Sequence, residues 1–380
     1  NQCRRTGTWN WHRSPSINYI AMSNALHNRV TDESLLGLLE EMVKIPSFSR
    51  EESAVADLLE TWLSDHGLPP HRKGNNLWLS SEEESEKPVI LLNAHIDTVR
   101  PSAGYTRDPF VPMVENGRLY GLGTNDDGAS VIALLRAYID LTSRPQPYRL
   151  IWSATAEEEV CGKGGIELIF PELGRIDLGI MGEPTKMQMA VAEKGLMVLD
   201  CTAEGKSGHA AREEGVNAIY AALPDIEWFR TYRFPKISPY LGPVKMSVTQ
   251  VNAGVQHNIV PDVCTFVVDV RPNGMYTNLE VLDIIKSSVK CKVKERSTRL
   301  GSSHIAEDHP IVLRAKDLGI TTFGSMTTSN QTLSPFPTVK IGPGDSARSH
   351  TADEYIETSE IFSGADMYVR LLDGYGKTLG

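Results

Sequence analysis

Three short apolar runs, each followed at once by side chains that bind metals or move protons, limit what this chain can fold into more than any other feature. Residues 88–93 lead into His95 and Asp97, residues 148–155 into Glu157, Glu158 and Glu159, and residues 177–182 into Glu183. Such runs, rich in branched side chains, read as buried strands. Between the first two, residues 128–141 carry Val131, Leu134, Leu135 and Tyr138 on one face of an expected helix. Strands alternating with helices predict an α/β fold with a mostly parallel sheet. Sheets of that kind bind ligands outside the carboxyl ends of their strands.

The remaining pattern predicts two domains, as 380 residues exceed what one core usually serves. A first helix is expected over 32–44. A second is expected to begin with a capping box of Ser49 and Glu52 and to end at Gly67. Near Lys194 the pattern changes. Expected are a strand over 195–204, a helix over 213–230 carrying Ile219, Leu223 and Ile226, strands over 244–251 and 262–270, a helix over 277–289 and a strand over 291–295. The order β-α-β-β-α-β is a ferredoxin-like α+β unit. The reading is a domain of 194–302 inserted into one made of 22–193 and 303–380, closed by a helix over 359–372. Residues 1–21 show no signal-peptide pattern and read as an upstream extension, with Met22 as the natural start.

Net charge is −10 and no long Lys/Arg block occurs, which excludes a nucleic-acid or anionic-membrane surface. No stretch approaches the roughly 18 apolar residues of a membrane helix. The five cysteines (Cys3, Cys161, Cys201, Cys264 and Cys291) are odd in number, widely spaced and without a C-x-x-C pair. That argues against a disulfide framework and fits a reducing cytoplasm.

Each chemical signal is weak alone. His95-x-Asp97 also suits a hydrogen-bonded loop. Asp126-Asp127, ahead of a helix, also suits a cap. Three adjacent glutamates usually face water, but after a buried strand they repel one another unless a cation intervenes. Glu183 in G-E-P-T and His350 in S-H-T-A-D-E-Y complete a set of five ligand-type side chains: His95, Asp126, Glu159, Glu183 and His350. Two imidazoles with three carboxylates suit Zn²⁺, and also Co²⁺ or Mn²⁺.

Seven motifs follow in order: N-A-H-I-D-T-V at 93–99, Y-G-L-G-T-N-D-D-G at 120–128, T-A-E-E-E at 155–159, G-E-P-T at 182–185, G-K-S-G-H-A-A at 205–211, N-I-V-P-D at 258–262 and R-S-H-T-A-D-E at 348–354. As a series they resemble the M20 family of dinuclear zinc aminoacylases and peptidases. The stretch 334–350 resembles its N-acetylornithine deacetylase branch. The resemblance implies that Asp126 bridges two Zn²⁺ ions, with His95 and Glu183 on one and Glu159 and His350 on the other. It implies that Asp97 orients His95, that Glu158 is the general base, and that the Asp126–Asp127 peptide is cis. It makes the inserted unit a lid and dimerisation domain, with His209 reaching across a homodimer to the partner's oxyanion. It also points to Arg271, thirteen residues after Asn258, as a substrate contact; Lys194 is a second candidate partner for the product's carboxylate, the bend at Gly344 brings backbone close to the metal site, and Asp345 suits a cationic side chain such as ornithine's. The expected substrate is an N-acyl amino acid, N2-acetyl- or N2-succinyl-ornithine first, with a dipeptide, an N-acetyl-citrulline or an N-acyl-lysine as alternatives. Many relatives carry Lys where Gly128 stands.

Overall fold

The computed structural model describes residues 30–83, 86–212 and 214–376. The expected extension over 1–21, the start at Met22, and Cys3 lie outside them. The chain is α/β. Its main sheet runs β1 (His71–Lys73), β2 (Asn76–Ser80), β6 (Arg149–Thr155), β3 (Val89–His95), β7 (Leu178–Met181), β15 (Thr338–Lys340), β8 (Met189–Glu193) and β13 (Ser303–His304), with β14 (Thr322–Ser325) also pairing β8. The centre, β6-β3-β7-β15, is parallel. The β1-β2-β6 side is antiparallel. A small sheet orders β16 (Tyr355–Glu357), β5 (Arg118–Tyr120) and β4 (Met113–Glu115).

Strand β3 is buried along its whole length and ends on His95 itself. Helix α3 (Ala129–Thr142) follows the Asp126-Asp127 turn and packs against the sheet, α1 (Asp32–Val43) and α8 (Thr358–Leu372). It is buried on nearly every side, not on the single expected face, because α1 and α8 cover what the sheet does not. Helix α2 (Ser53–Asp65) forms as expected, but without the capping box: its N-cap Glu52 makes no side-chain cap bond. Ser49 and Glu52 serve the functional site instead. Helices α4 (Ile166–Leu173) and α7 (Pro310–Asp317) complete the layers.

Between β8 and β13 the chain builds a second unit with its own core. It runs β9 (Met197–Glu204), α5 (Ala218–Thr231), β10 (Lys245–Ala253), β11 (Val263–Arg271), α6 (Asn278–Ser288) and β12 (Lys292–Glu295). The sheet order β10-β11-β9-β12, antiparallel throughout, is the ferredoxin-like arrangement. Helix α5 starts at Ala218 under an Asn217 cap, several residues later than expected. Its inward face is Ala218, Ala222, Asp225 and Phe229. Ile219 and Leu223, two of the apolar residues that mark this helix in the sequence, are 37% and 52% exposed. The buried Asp225 carboxylate sets this rotation by accepting the backbone N–H groups of Lys290 and Cys291 at 3.0 and 2.7 Å. No helix among the described residues is long and apolar enough to cross a membrane, and the four described cysteines are free.

Candidate metal centre

His95 is fixed first. Its Nδ1 lies 2.9 Å from the Asp97 backbone carbonyl and 3.4 Å from the Asp97 carboxylate, which leaves Nε2 facing the loop opposite. That loop is the turn 124–128, where the Asp126–Asp127 peptide is cis. Asp126 Oδ1 stands 3.1 Å from His95 Nε2, and Oδ2 stands 3.7 Å from His350 Nε2. His350 Nε2 is 3.0 Å from Glu159 Oε1. Donor atoms of His95, Asp126 and Glu159 lie within 4.8 Å of one another, and so do those of His95, Glu158 and Glu183. Asp126 thus stands between two imidazoles, and the five expected ligands and Glu158 converge on one place.

The three glutamates after β6 part company. Glu157 takes a left-handed backbone (φ 56°), donates its N–H to Glu52 and turns its carboxylate to the Gly164 N–H. Glu158 and Glu159 both donate their N–H groups to the Asp97 carboxylate, at 2.9 and 3.0 Å. Ser49 Oγ donates to the same carboxylate at 2.7 Å. Asp97 therefore orients His95 and also clamps the glutamate turn. Burial works against its charge, but His95, Ser49 and the Glu158 N–H outweigh that and hold its carboxyl below the ordinary range.

A second clamp was invisible in the motif that contains it. Glu354 is buried and accepts the N–H groups of Gly123, Asn125 and Asp126 at 3.1, 2.9 and 2.9 Å. Asn125 joins this turn to the G-P-G-D loop, donating to the Asp345 carbonyl and accepting the Asp345 N–H. Gly344 (φ 85°) belongs there because a Cβ would lie 2.4 Å from Asn125 Oδ1. Gly128 is equally constrained. A Cβ would lie 2.6 Å from the Gly123 carbonyl, so the Lys of many relatives has no room in this turn.

The electrostatics suit a cation. Burial, then Glu183, pushes the Glu158 carboxyl well above its ordinary range. Burial pushes Glu183 up to about 8, with Asp126 adding to it. His350 is raised to about 9, chiefly by Glu159. Carboxylates crowded this closely hold protons unless positive charge replaces them, and a mixed imidazole and carboxylate donor set fits Zn²⁺, Co²⁺ or Mn²⁺.

The expected substrate contacts do not gather at this cluster in the same way. Lys194 is buried and donates to the Pro243 carbonyl at 2.8 Å. Arg271 forms a two-pronged pair with Asp269 at 2.8 and 3.0 Å and reaches Thr328 Oγ1 at 3.3 Å. The Asp345 carboxylate is paired with Lys186 at 2.7 Å, so its charge is already answered. His209 and Asn258 are exposed on the inserted unit, and among the described residues neither touches the cluster.

The comparisons with known proteins agree with this geometry. The profile for peptidase family M20/M25/M40 matches residues 91–374. The acetylornithine deacetylase of Proteus mirabilis is 28% identical, over 90% of this chain and 97% of its own. A succinyl-diaminopimelate desuccinylase of a Ruegeria species is 24% identical, over 89% and 94%. Among solved structures, an aminopeptidase of Bacillus cereus superposes with a TM-score of 0.74 at 20% identity, over 91% of this chain and 99% of its own. A dinuclear metal-binding peptidase of Bacillus subtilis gives 0.69 at 14% identity, over 90% and 97%. Matched across most of its length by the profile and carrying the acidic cluster at the strand ends, the chain is an amide hydrolase and belongs to peptidase family M20/M25/M40.

Proposed function

We propose that this enzyme removes the acyl group from an N-acyl amino acid, with N2-acetyl-L-ornithine, or its N2-succinyl counterpart, as the first substrate and arginine biosynthesis as its setting. The observation that carries this reading is the nearly end-to-end similarity to proteins named acetylornithine deacetylase. The cofactor is a pair of divalent cations, Zn²⁺ or Co²⁺. His95 and Glu183 would hold one, Glu159 and His350 the other, and Asp126 both. When bound, such a pair lowers the pKa of water and polarises an amide carbonyl.

The chain's own groups do the rest. Glu158 stands 3.8 Å from His95, and its backbone is held on Asp97. It takes the proton of the attacking water and hands it to the leaving amine. Arg271 and Asn258 meet the carboxylate of the amino acid. His209 is exposed and far from being spent on internal contacts, its Nδ1 accepting only the Ala211 N–H at 3.1 Å. It donates to the developing oxyanion in the site of a second copy.

The inserted unit, 194–302, is the lid and the dimer contact. Ile219, Tyr220 and Leu223 on α5, and Val251 on β10 at the sheet edge, form an exposed apolar face fit for a second copy. The enzyme works in the cytoplasm on small molecules.

Amine release by Zn²⁺- or Co²⁺-loaded protein tests this, run in parallel on N2-acetyl-ornithine, N2-succinyl-ornithine, N2-acetyl-citrulline and an Ala-containing dipeptide. Turnover of an acylornithine is expected. Turnover of the dipeptide alone would make the enzyme a peptidase with the same machinery.

A further inference from the structure

Beside Glu183 lies a cavity of about 250 Å³, and a buried lysine forms part of its wall. Lys340, the last residue of β15, is 3% exposed and pairs with Glu193 at 3.0 Å, itself fully buried. It also donates to Thr327 Oγ1 at 3.2 Å. An ammonium has three donors, and among the described residues these are its two partners. The cavity that Lys340 lines also carries the hydroxyl-bearing side chains of Thr327, Ser325 and Thr185.

A buried ion pair is a poor way to stabilise a sheet, since apolar residues of similar volume do as well or better. Glu193 does not depend on Lys340 for all its hydrogen bonds. Its carboxylate also accepts the Ser329 N–H at 3.0 Å and the Ser329 hydroxyl at 2.7 Å. Burial pulls the Lys340 ammonium down, but Glu193 and then Glu183 more than restore it, so it remains a cation. The other charges around the cavity have partners. Asp345 is held by Lys186, and Glu183 is one of the side chains that would hold a cation. The cavity also offers far more room than the methyl of an acetyl group fills.

We propose that this cavity receives the acyl group of the substrate and that Lys340, with Thr327 and Ser325, recognises a carboxylate at its far end. The preferred substrates are then monoamides of a short dicarboxylic acid, not of a monocarboxylic one. This rests on the deacylase reading above and makes Lys340 a specificity-determining residue.

The test compares kcat/KM of the metal-loaded enzyme for N2-succinyl and N2-acetyl derivatives of one amino acid. A succinyl preference of roughly 30-fold or more is expected. Lys340→Met alone would strand Glu193, so it is combined with Glu193→Gln. This pair should lower succinyl turnover by about a hundredfold, mostly in KM, and change acetyl turnover less than about threefold. Thr327→Val, a smaller change, should lower succinyl turnover by about fivefold and leave acetyl turnover alone. Succinate, added as a free ligand, should bind the double variant about tenfold more weakly than the parent, and acetate equally. Equal use of both acyl groups by the parent, or equal losses on both in the variants, overturns the pocket and leaves the deacylase standing. Turnover of the dipeptide with neither acyl substrate overturns both.

Discussion

The two halves of the proposed site are built in opposite ways. Around the ends of β3 and β6 the reacting side chains are held from behind: His95 by Asp97, the Glu158–Glu159 turn by the same Asp97, which Ser49 braces, and Asp126, in the turn before α3, by Glu354. On the inserted unit, His209 and Asn258 lie exposed, beside an apolar face that no described residue of the chain covers. One half is braced by side chains of the same chain, as a charge-handling site must be. In the proposed mechanism the other half acts only when a lid closes or a second copy arrives. Variants on each side should therefore fail differently.

The sharpest contrast comes from Glu158→Gln. Loss of the proton carrier should lower kcat by about 10³- to 10⁴-fold, with two metal ions per chain still found by elemental analysis. Loss of metal along with activity would instead make Glu158 a ligand. His209→Ala should cost about 10²- to 10³-fold in kcat, in the manner of an oxyanion donor. Its signature is complementation. If His209 serves the partner's site, mixing the two dead variants creates heterodimers with one intact site, and activity should return to about a quarter of the parent's at equal mixing. No recovery on exchange of subunits, verified by a tagged pull-down, would place His209 in its own chain's site or outside catalysis. A smaller loss is expected at Asp97. Asp97→Asn keeps the shape but weakens the hold on the His95 imidazole, and should lower metal affinity about 10- to 100-fold. Titration against a competing chelator reads this directly, and unchanged affinity would reduce Asp97 to a clamp for the glutamate turn.

The same contrast governs what could be read from the sequence. The buried half was legible because three buried apolar runs in succession were each followed within a few residues by His or Glu, a coincidence that no single one of them carries. Of what supports those residues only Asp97 was foreseen, through the resemblance; the rest was not legible, because polar contacts between distant segments leave no periodicity. Ser49 and Glu52 have the spacing of a capping box, yet tertiary partners took both: Ser49 bonds Asp97, and Glu52 holds Asn75 and the Glu157 turn. Lys340 reads as an ordinary strand residue until Glu193 is found beside it. In the inserted unit the strand order was legible, but the facing of α5 was not. Ile219 and Leu223 recur at helical spacing, and that spacing looks the same whether an apolar face meets a core or a partner. Only the buried Asp225, gripping the backbone before β12, shows which way the helix turns.

The smallest effect concerns protons in place of metal. Without cations, Glu183 keeps a carboxyl pushed up to about 8, against 4.5 ordinarily, and His350 stands near about 9, against 6.5. For both, the folded pKa lies above the unfolded one, so the protonated form favours the fold. That contribution is fully present below the unfolded value and is lost as pH climbs through the folded one. Metal-free protein should therefore lose melting temperature between about pH 5 and pH 9. Bound cations remove the need for those protons and bind more firmly as the ligands deprotonate. Glu354, also raised to about 8 by burial and then Asp126, is not an expected ligand and should cost the loaded and metal-free forms alike. The gap in melting temperature between the two forms should then widen by several degrees as pH rises, and Glu183→Gln should flatten much of the metal-free slope. A constant gap would mean that these side chains do not exchange protons for metal, and the cations would have to sit elsewhere.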